Sequence, residues 1–538
     1  MMKVSKIILT LLFTFSAFAQ APLIQWQKVY GGNVADGLNT IKQTSDGGYL
    51  LLGDSESGIS GDKVSATKGG RDNWIIKTSS TGAIEWQKDI GGSGDDSIFP
   101  VVQTSDGGYL VGGNSDSSIS GDKTENSHGF ADFWILRLDP SGNIVWQNTI
   151  GGGYLDLLFS IIQTPDGGFL LGGSSISNQS EDKTEDNVGF TFGTPYTTYF
   201  DYWIIKIDAL GNIEWDNTIG SKSTDSAYTV LNATDGGYLV GGFSNCDVSG
   251  DYNGPSQGGL DCWILKLDLL GNILWQKTIG GSANDQLRAI ITTSDGGYLL
   301  GAISNSNISG NKTENNKGLN DFWIVKLDAN GNITWDKTIG GLQNDILYSM
   351  KESNNGDFYL GGTSSSNISG DKSQNSRGGE DFWLVKMDSL GNVLWDKTIG
   401  GSQDETDCTM EYNSIDDSII IGGPSLSSIS GDKMELSRGL SDYWVVNLDS
   451  DSLGTTTFDD SKILVYPNPT TGEVNVDFPN FYKNLKISVL NTLGQLVFAH
   501  DYFNRSKIQF NLEGLKGIYF VTVETDSSEK KVFKFVKE

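Results

Sequence analysis

Between residues 287 and 339 the apolar positions gather into short runs, "LRAIITTSDGGYLLGAIS", "DFWIVKLD" and "GNITWDKTI", rich in β-branched and aromatic residues and cut by Asp-Gly, Gly-Gly or Gly-Asn. Punctuation of this kind predicts strands joined by tight turns, and no stretch carries a helical period long enough to compete. Four strands in about 60 residues make one small antiparallel sheet. Such a sheet cannot bury both faces alone and must stack on its neighbours.

The unit recurs along the chain. Trp74, Trp134, Trp203, Trp263, Trp323, Trp383 and Trp444 form one series, and Trp26, Trp86, Trp146, Trp215, Trp275, Trp335 and Trp395 a second, which together use all 14 tryptophans. Successive members lie 60 residues apart, except for 69 between Trp134 and Trp203 and between Trp146 and Trp215, and 61 in the last interval of the first series. The count is seven repeats. At the ends, "LIQWQKVYGG" (23–32) is a last strand without its preceding repeat, and "SDYWVVNLDSD" (441–451) lacks the strand that should follow it. Each terminus supplies what the other lacks, which predicts an all-β, seven-bladed β-propeller closed by the N-terminal strand, a closure that leaves no free sheet edge.

The flanks differ from the repeats. At the N-terminus Lys3 and Lys6 precede an apolar run from Ile7 to Phe15 and the small-residue pattern Ala17-Phe18-Ala19, so residues 1–19 read as a secretory signal peptide. The run is shorter than the roughly 20 residues a membrane span requires, and no later segment is long enough to span. The propeller is assigned to 20–451 and a polar linker to 452–462. The pattern from 463 to 538 predicts a small β-sandwich, with alternating strands "ILVYPNPTTGEVNVDF", "LKISVLNTLGQLVFAH" and "LKGIYFVTVETDSSEKKVFKFVKE". Residues 459–538 hold ten Lys/Arg and ten Asp/Glu, so the whole net charge of −29 belongs to the repeats. An acidic surface of that size repels nucleic acid and anionic membranes.

The C-terminal segment resembles the type A C-terminal sorting domain of the type IX secretion system of the Bacteroidota. The resembling residues are Tyr466, Pro467, Asn468 and Pro469 with Gly472, then Gly494-Gln495, then Gly517-Ile518-Tyr519, and the basic end with Lys530, Lys531, Lys534 and Lys537. The resemblance implies the type IX machinery as a partner, passage across the outer membrane, and an extracellular or surface-attached product. It implies nothing about the cargo's activity. The repeats also look like the repeat proteins that accompany this tail, from which no common activity follows.

Candidate chemistry is sparse. Histidine occurs only at His128 and His500, in different segments, which leaves almost nothing from which to build a His-based triad or a His-rich metal site. Carboxylates recur in every repeat, one set being Asp72, Asp132, Asp201, Asp261, Asp321, Asp381 and Asp442, a second Asp36, Asp96, Asp156, Asp225, Asp285, Asp345 and Glu405. A catalytic pair is needed once, whereas a carboxylate that caps loop amides is needed seven times, so these read as blade-building. The turn "TSDGGYL" is faintly similar to the Asp-box of sialidase-type propellers, in its turn chemistry alone. No cofactor is expected. Calcium is the one candidate ion, offered oxygen ligands by Asp122, Glu125 and Asp132 in "SISGDKTENSHGFAD", against a default of ordinary Asx-turns and with Asn311 replacing the aspartate in repeat five.

Function in a repeat ring is better sought where the repeats differ. Directly before the small residues Thr40, Pro100, Ser160, Thr229, Ala289, Ser349 and Thr409 stand Asn39, Phe99, Phe159, Tyr228, Arg288, Tyr348 and Cys408. If the small set marks the tightly packed innermost strand, its variable neighbours flank the central depression, and four aromatics with an arginine suit a sugar or a peptide side chain. The alternative is simple packing between blades. A second departure is the nine-residue insertion in repeat three, whose Phe190, Phe192, Tyr196, Tyr199 and Phe200 suit a recognition loop or a loop folded over its neighbour. Cys246 and Cys262 flank a loop of about 16 residues and are the expected disulfide pair in an exported chain, leaving Cys408 over.

The expectation is a monomeric, non-enzymatic surface or secreted protein that binds extracellular glycan or protein. The alternatives are a carboxylate-dependent glycan-cleaving enzyme, which requires two non-repeating carboxylates facing one pocket, and a purely structural adhesion component.

Overall fold

The computed structural model describes residues 21–189, 196–449, 464–492, 495–512, 514–525 and 530–538. The signal peptide and the linker expected at 452–462 lie outside them. By contacts the chain divides into two units, residues 1–450 and 451–538. No described helix is long and apolar enough to cross a membrane.

The first unit is all-β. Its described strands form seven four-stranded antiparallel sheets. In the first, Asp36–Gln43, Tyr49–Ser55, Asp72–Thr78 and Ile84–Ile90 pair in chain order. The first strand of each later sheet touches the first three strands of the sheet before it, or two of them in the last sheet, and Asp36–Gln43 in turn touches Thr409–Tyr412, Ile419–Ser425 and Asp442–Leu448. First strands therefore lie innermost, and each sheet buries its apolar face on the next.

The last sheet takes its fourth strand from the other end of the chain. Ile24–Tyr30 pairs antiparallel with Asp442–Leu448, setting Val29 opposite Trp444. Gln27 there repeats the bonds made by Gln87 in the first sheet. The indole N–H of Trp444 donates to Gln27 Oε1 at 3.1 Å, and Gln27 Nε2 donates to the carbonyl of Asp432 at 2.8 Å. The corresponding bonds of Gln87, from Trp74 and to Asp62, are 2.9 and 2.7 Å.

The two tryptophan series have different work. The first is fully buried, and each indole N–H finds a Gln or Asp side chain on the outer strand, as a buried donor must. Under five of these rings sits the lysine that ends the "SGDK" loop or its variants "SEDK" and "SGNK", 5.1–5.7 Å from the ring centroid. Burial lowers the ammonium pKa to about 8 at Lys183, Lys312, Lys372 and Lys433. Repeat four puts Tyr252 there instead, edge-on to Trp263 at 5.2 Å. The second series lies in the outer strands, and six of its seven members face the turn of the next sheet, while Trp395 shares a core with Ala21 and Ile24. Gly331, at φ +74°, lies over Trp275, where a Cβ would come within 2.9 Å of the ring, so both backbone and space require glycine.

The second unit is one hydrogen-bonded sheet of five strands. Its long strand Glu473–Asn491 pairs with Leu496–Asn511, with a register break between Asp477 and Tyr482. Val474 and Val489 share a single apolar core, although along a straight strand they would stand about 50 Å apart. The sandwich predicted here is thus realised as a sheet folded on itself. Asn468 fastens its end: Nδ2 donates to the carbonyl of Lys534 and Oδ1 accepts from the amide of Val536, each at 3.0 Å. Tyr519 is buried and donates to the carbonyl of Leu515, while Tyr466 remains partly exposed. Pro467, Pro469, Gly472 and Gly517 lie in the same described turns and strand ends, and Gly494 lies outside the described residues.

Candidate ligand-binding site

Every first strand but the last is interrupted by a β-bulge at the variable position. In the first sheet the ladder runs Leu38↔Gly53, then Thr40↔Leu52, and passes over Asn39. Phe159, Tyr228, Arg288 and Tyr348 are passed over in the same way, and Phe99 together with Pro100. Since Leu38 and Ile41 are both buried, the extra residue leaves two consecutive side chains on the inner side. The small one joins neighbouring sheets: Thr40 Oγ1 donates to the carbonyl of Phe99, Ser160 Oγ accepts from the amide of Val230, and Ser349 Oγ donates to the carbonyl of Cys408. Thr409 Oγ1 accepts from the amide of Ile41, joining last sheet to first. The variable one points into a cavity.

That cavity has a volume of about 480 Å³, and Asn39, Phe99, Phe159, Tyr228, Arg288 and Tyr348 all line it. The Phe159 and Tyr228 rings stack at 4.9 Å and 14°, and the guanidinium of Arg288 lies over Tyr228, 5.3 Å from its centroid. Burial, together with the nearby Asp407 and Glu380 carboxylates, raises the Tyr348 phenol well above its ordinary range. Asn39 is held by bonds from Nδ2 to Asp54 Oδ1 at 3.2 Å and to the carbonyl of Ile98 at 3.1 Å.

The seventh position departs from expectation. Cys408 is fully buried in the apolar core, and Asp407 is the exposed residue beside it, at φ +50°. Asp407 occupies the place of Leu347, which is buried. A carboxylate there would have to shed its water, so the backbone turns to the left-handed region that Asp tolerates, sending the carboxylate to the cavity and the thiol inward.

Other sequence candidates resolve differently. Phe190 and Phe192 lie outside the described residues. Tyr196 begins the lengthened strand Tyr196–Ile207, Tyr199 is exposed and Phe200 half-buried in it, and neither Tyr199 nor Phe200 lines the central cavity. The disulfide expected between Cys246 and Cys262 does not form, and all three thiols are free. Cys262 is buried in mid-sheet, opposite Phe243, with its thiol on the carbonyl of Asp285, whereas Cys246 sits in the loop against Ser249.

The carboxylates offered as calcium ligands have protein partners. Among the described residues no group of three or more His, Cys, Asp or Glu is placed to hold a metal. Asp122 accepts from the amide of Gly91 and pairs with Lys68, Glu125 accepts from the amide of Thr149, and Asp132 accepts from the amide of His128. The loop aspartates serve as partners for a cation from the preceding sheet, in the pairs Lys68–Asp122, Lys317–Asp371, Arg377–Asp432 and Arg438–Asp62. Where the aspartate becomes Asn311, the cation position holds neutral Gln257, whose side chain lies against the same loop at Gly310. The recurring strand-start carboxylates are loop caps. Asp285, for example, accepts from the amide of Gly281 at 2.6 Å and the hydroxyl of Ser306 at 2.8 Å.

Stacked four-stranded sheets around a shared cavity define an all-β, propeller-like repeat protein. Residues 464–538 match the family model described as a secretion system C-terminal sorting domain. This is the tail of the type IX system, and it directs export across the outer membrane to the cell surface or the extracellular space. Over 251 residues the chain is 26% identical to regulatory protein FlaEY of Caulobacter vibrioides, covering 45% of this chain and 26% of that one. The chain thus spans about a quarter of that relative's length. Among solved structures it is similar to puromycin hydrolase (11% identity, TM-score 0.42, 82% of this chain and 58% of that chain). It is also similar to a Synechocystis apocarotenoid oxygenase (13%, 0.35, 67% and 71%) and to the parainfluenza virus 5 hemagglutinin-neuraminidase (7%, 0.34, 80% and 95%).

Proposed function

We propose that the exported chain is a seven-bladed β-propeller, closed by its N-terminal strand, that binds an extracellular glycan in its central depression. The observation that carries this reading is the convergence of six side chains of four types on one cavity from otherwise near-identical strands. Packing alone would be served by one residue repeated seven times. Aromatic faces beside an amide, a phenol and a guanidinium match the alternating C–H faces and hydroxyls of a sugar. Asp407 is the one carboxylate in the lining, whereas acid–base cleavage of a glycoside takes two, so binding is favoured over hydrolysis.

The test is binding of the full chain to arrayed glycans and surface proteins, beside a Phe159→Ala variant. Binding to a glycan class that the variant loses supports the reading. Binding to proteins alone, or glycan binding unchanged in the variant, overturns it.

A further inference from the structure

Arginine is scarce in the first unit, and the acidic surface claims nearly all of it. Arg71 pairs with Asp54 and Glu56, Arg137 with Asp106, Arg377 with Asp432 and Arg438 with Asp62. Arg288 is the exception. Among the described residues it makes no hydrogen bond or ion pair, its Nε is enclosed with no partner, and its guanidinium lines the central cavity. In a chain with 67 carboxylates against 38 cationic side chains, Arg288 stands out as an arginine in no ion pair among the described residues, although Asp407 lines the same cavity.

The guanidinium is placed by its neighbours. Phe159, Tyr228 and Arg288 form one continuous stack across three sheets, ring on ring and guanidinium on ring. The contact sets the guanidinium over the Tyr228 ring, and its terminal Nη N–H donors, unpaired among the described residues, are left for an acceptor on a ligand. The acceptor geometry that a guanidinium edge matches is a carboxylate, through two parallel N–H···O bonds. Resting on the glycan-binding reading above, we infer that the cavity selects a sugar that carries a carboxylate, with Arg288 as the group that holds it. The net charge narrows the class further. A strongly acidic protein repels a polyanion over roughly a Debye length, so the ligand is a glycan end with one carboxylate rather than a densely charged or sulfated chain.

The experiment uses the full chain on an array that carries glycans ending in a single uronic or sialic acid, their methyl esters, the neutral parents, polysulfated glycans and acidic peptides. Arg288→Gln and Arg288→Lys are run in parallel, with tryptophan fluorescence as the check on folding. The expected result is binding to single-carboxylate glycans with the methyl esters weaker by about 10- to 100-fold, the same loss in Arg288→Gln and a partial loss in Arg288→Lys. Neutral parents bound as tightly as the acids, with no change in Arg288→Gln, would overturn this inference and leave the glycan reading standing. Preference for polysulfated glycans would overturn the single-carboxylate class. Binding confined to acidic peptides, or to no probe at all, would overturn both.

Discussion

Replacing Gln27 by alanine removes the three bonds with which the N-terminal strand takes the fourth place in the last sheet. Its Oε1 accepts from the Trp444 indole at 3.1 Å and the Met434 amide at 2.9 Å, and its Nε2 donates to the carbonyl of Asp432 at 2.8 Å. The Trp444 side chain is fully buried, so its N–H is stranded at about 1–3 kcal/mol, and the two loop bonds add about 1 kcal/mol together. The expected cost is about 2–4 kcal/mol. Gln87→Ala is the internal control, because Gln87 makes the same three bonds to Trp74, Val64 and Asp62 inside a continuous repeat. All 14 tryptophans lie between residues 26 and 444, so urea titration of the full chain followed by their fluorescence reports on this unit alone. Equal losses in the two variants are predicted. A Gln27→Ala variant within about 0.5 kcal/mol of the parent, beside a Gln87→Ala variant that loses 2–4, would refute closure by the N-terminal strand.

Three further outcomes follow from the buried charges and thiols. Burial, reinforced by the Asp225 carboxylate, raises Asp201 to about 8, and burial raises Asp132 and Asp321 to about 6, from an ordinary 3.8. These carboxyls hold protons that the unfolded chain has released, so the stability they contribute is full below about pH 4 and is lost as pH rises to 8. At Asp46 and Asp166 burial pushes upward but Thr hydroxyls and a lysine outweigh it, holding both at about 2 and acting only below pH 4. The urea midpoint should therefore be higher at pH 5 than at pH 8, and the reverse order would contradict the burial of protonated carboxyls. Gln257→Lys with Asn311→Asp should recreate the ion pair found between other sheets, with a coupling of about 0.2–1 kcal/mol in a double-mutant cycle. Zero or unfavourable coupling would show that the cation position is not what the loop aspartate serves. Alkylation of the denatured, unreduced chain should add three groups by mass. A single added group would restore the Cys246–Cys262 bridge.

Much of the fold was legible because tryptophan spacing and turn residues are local signals, and the incomplete repeats at the two ends point to each other. The lining was also legible from Phe99, Phe159, Tyr228, Arg288 and Tyr348, since an exception in a repeat stands out without any coordinates. What lay beyond the sequence depends on register. No residue type marks the bulge that turns those side chains inward, and only the pairing shows that the ladder passes over them. At the seventh position alignment selects Cys408, but the energy of a buried carboxylate decides in favour of Asp407. The ion pairs of the loop aspartates were not legible because their cationic partners come from the preceding sheet, 54 residues away in sequence for Lys68 and Asp122. In the tail, Asn468 reads as a motif residue, and only the fold shows it gripping the final strand.

The repeats build a scaffold, and their exceptions, gathered in the central cavity, are proposed to bind the ligand. Amide hydrogen exchange of the full chain, with and without a saturating single-carboxylate glycan, tests this most directly. Protection is expected to concentrate at the bulges around residues 39, 99, 159, 228, 288 and 348 and at Asp407. Protection instead at the outer loops around Asp62, Asp122 and Asp371, with the bulges unchanged, would contradict it.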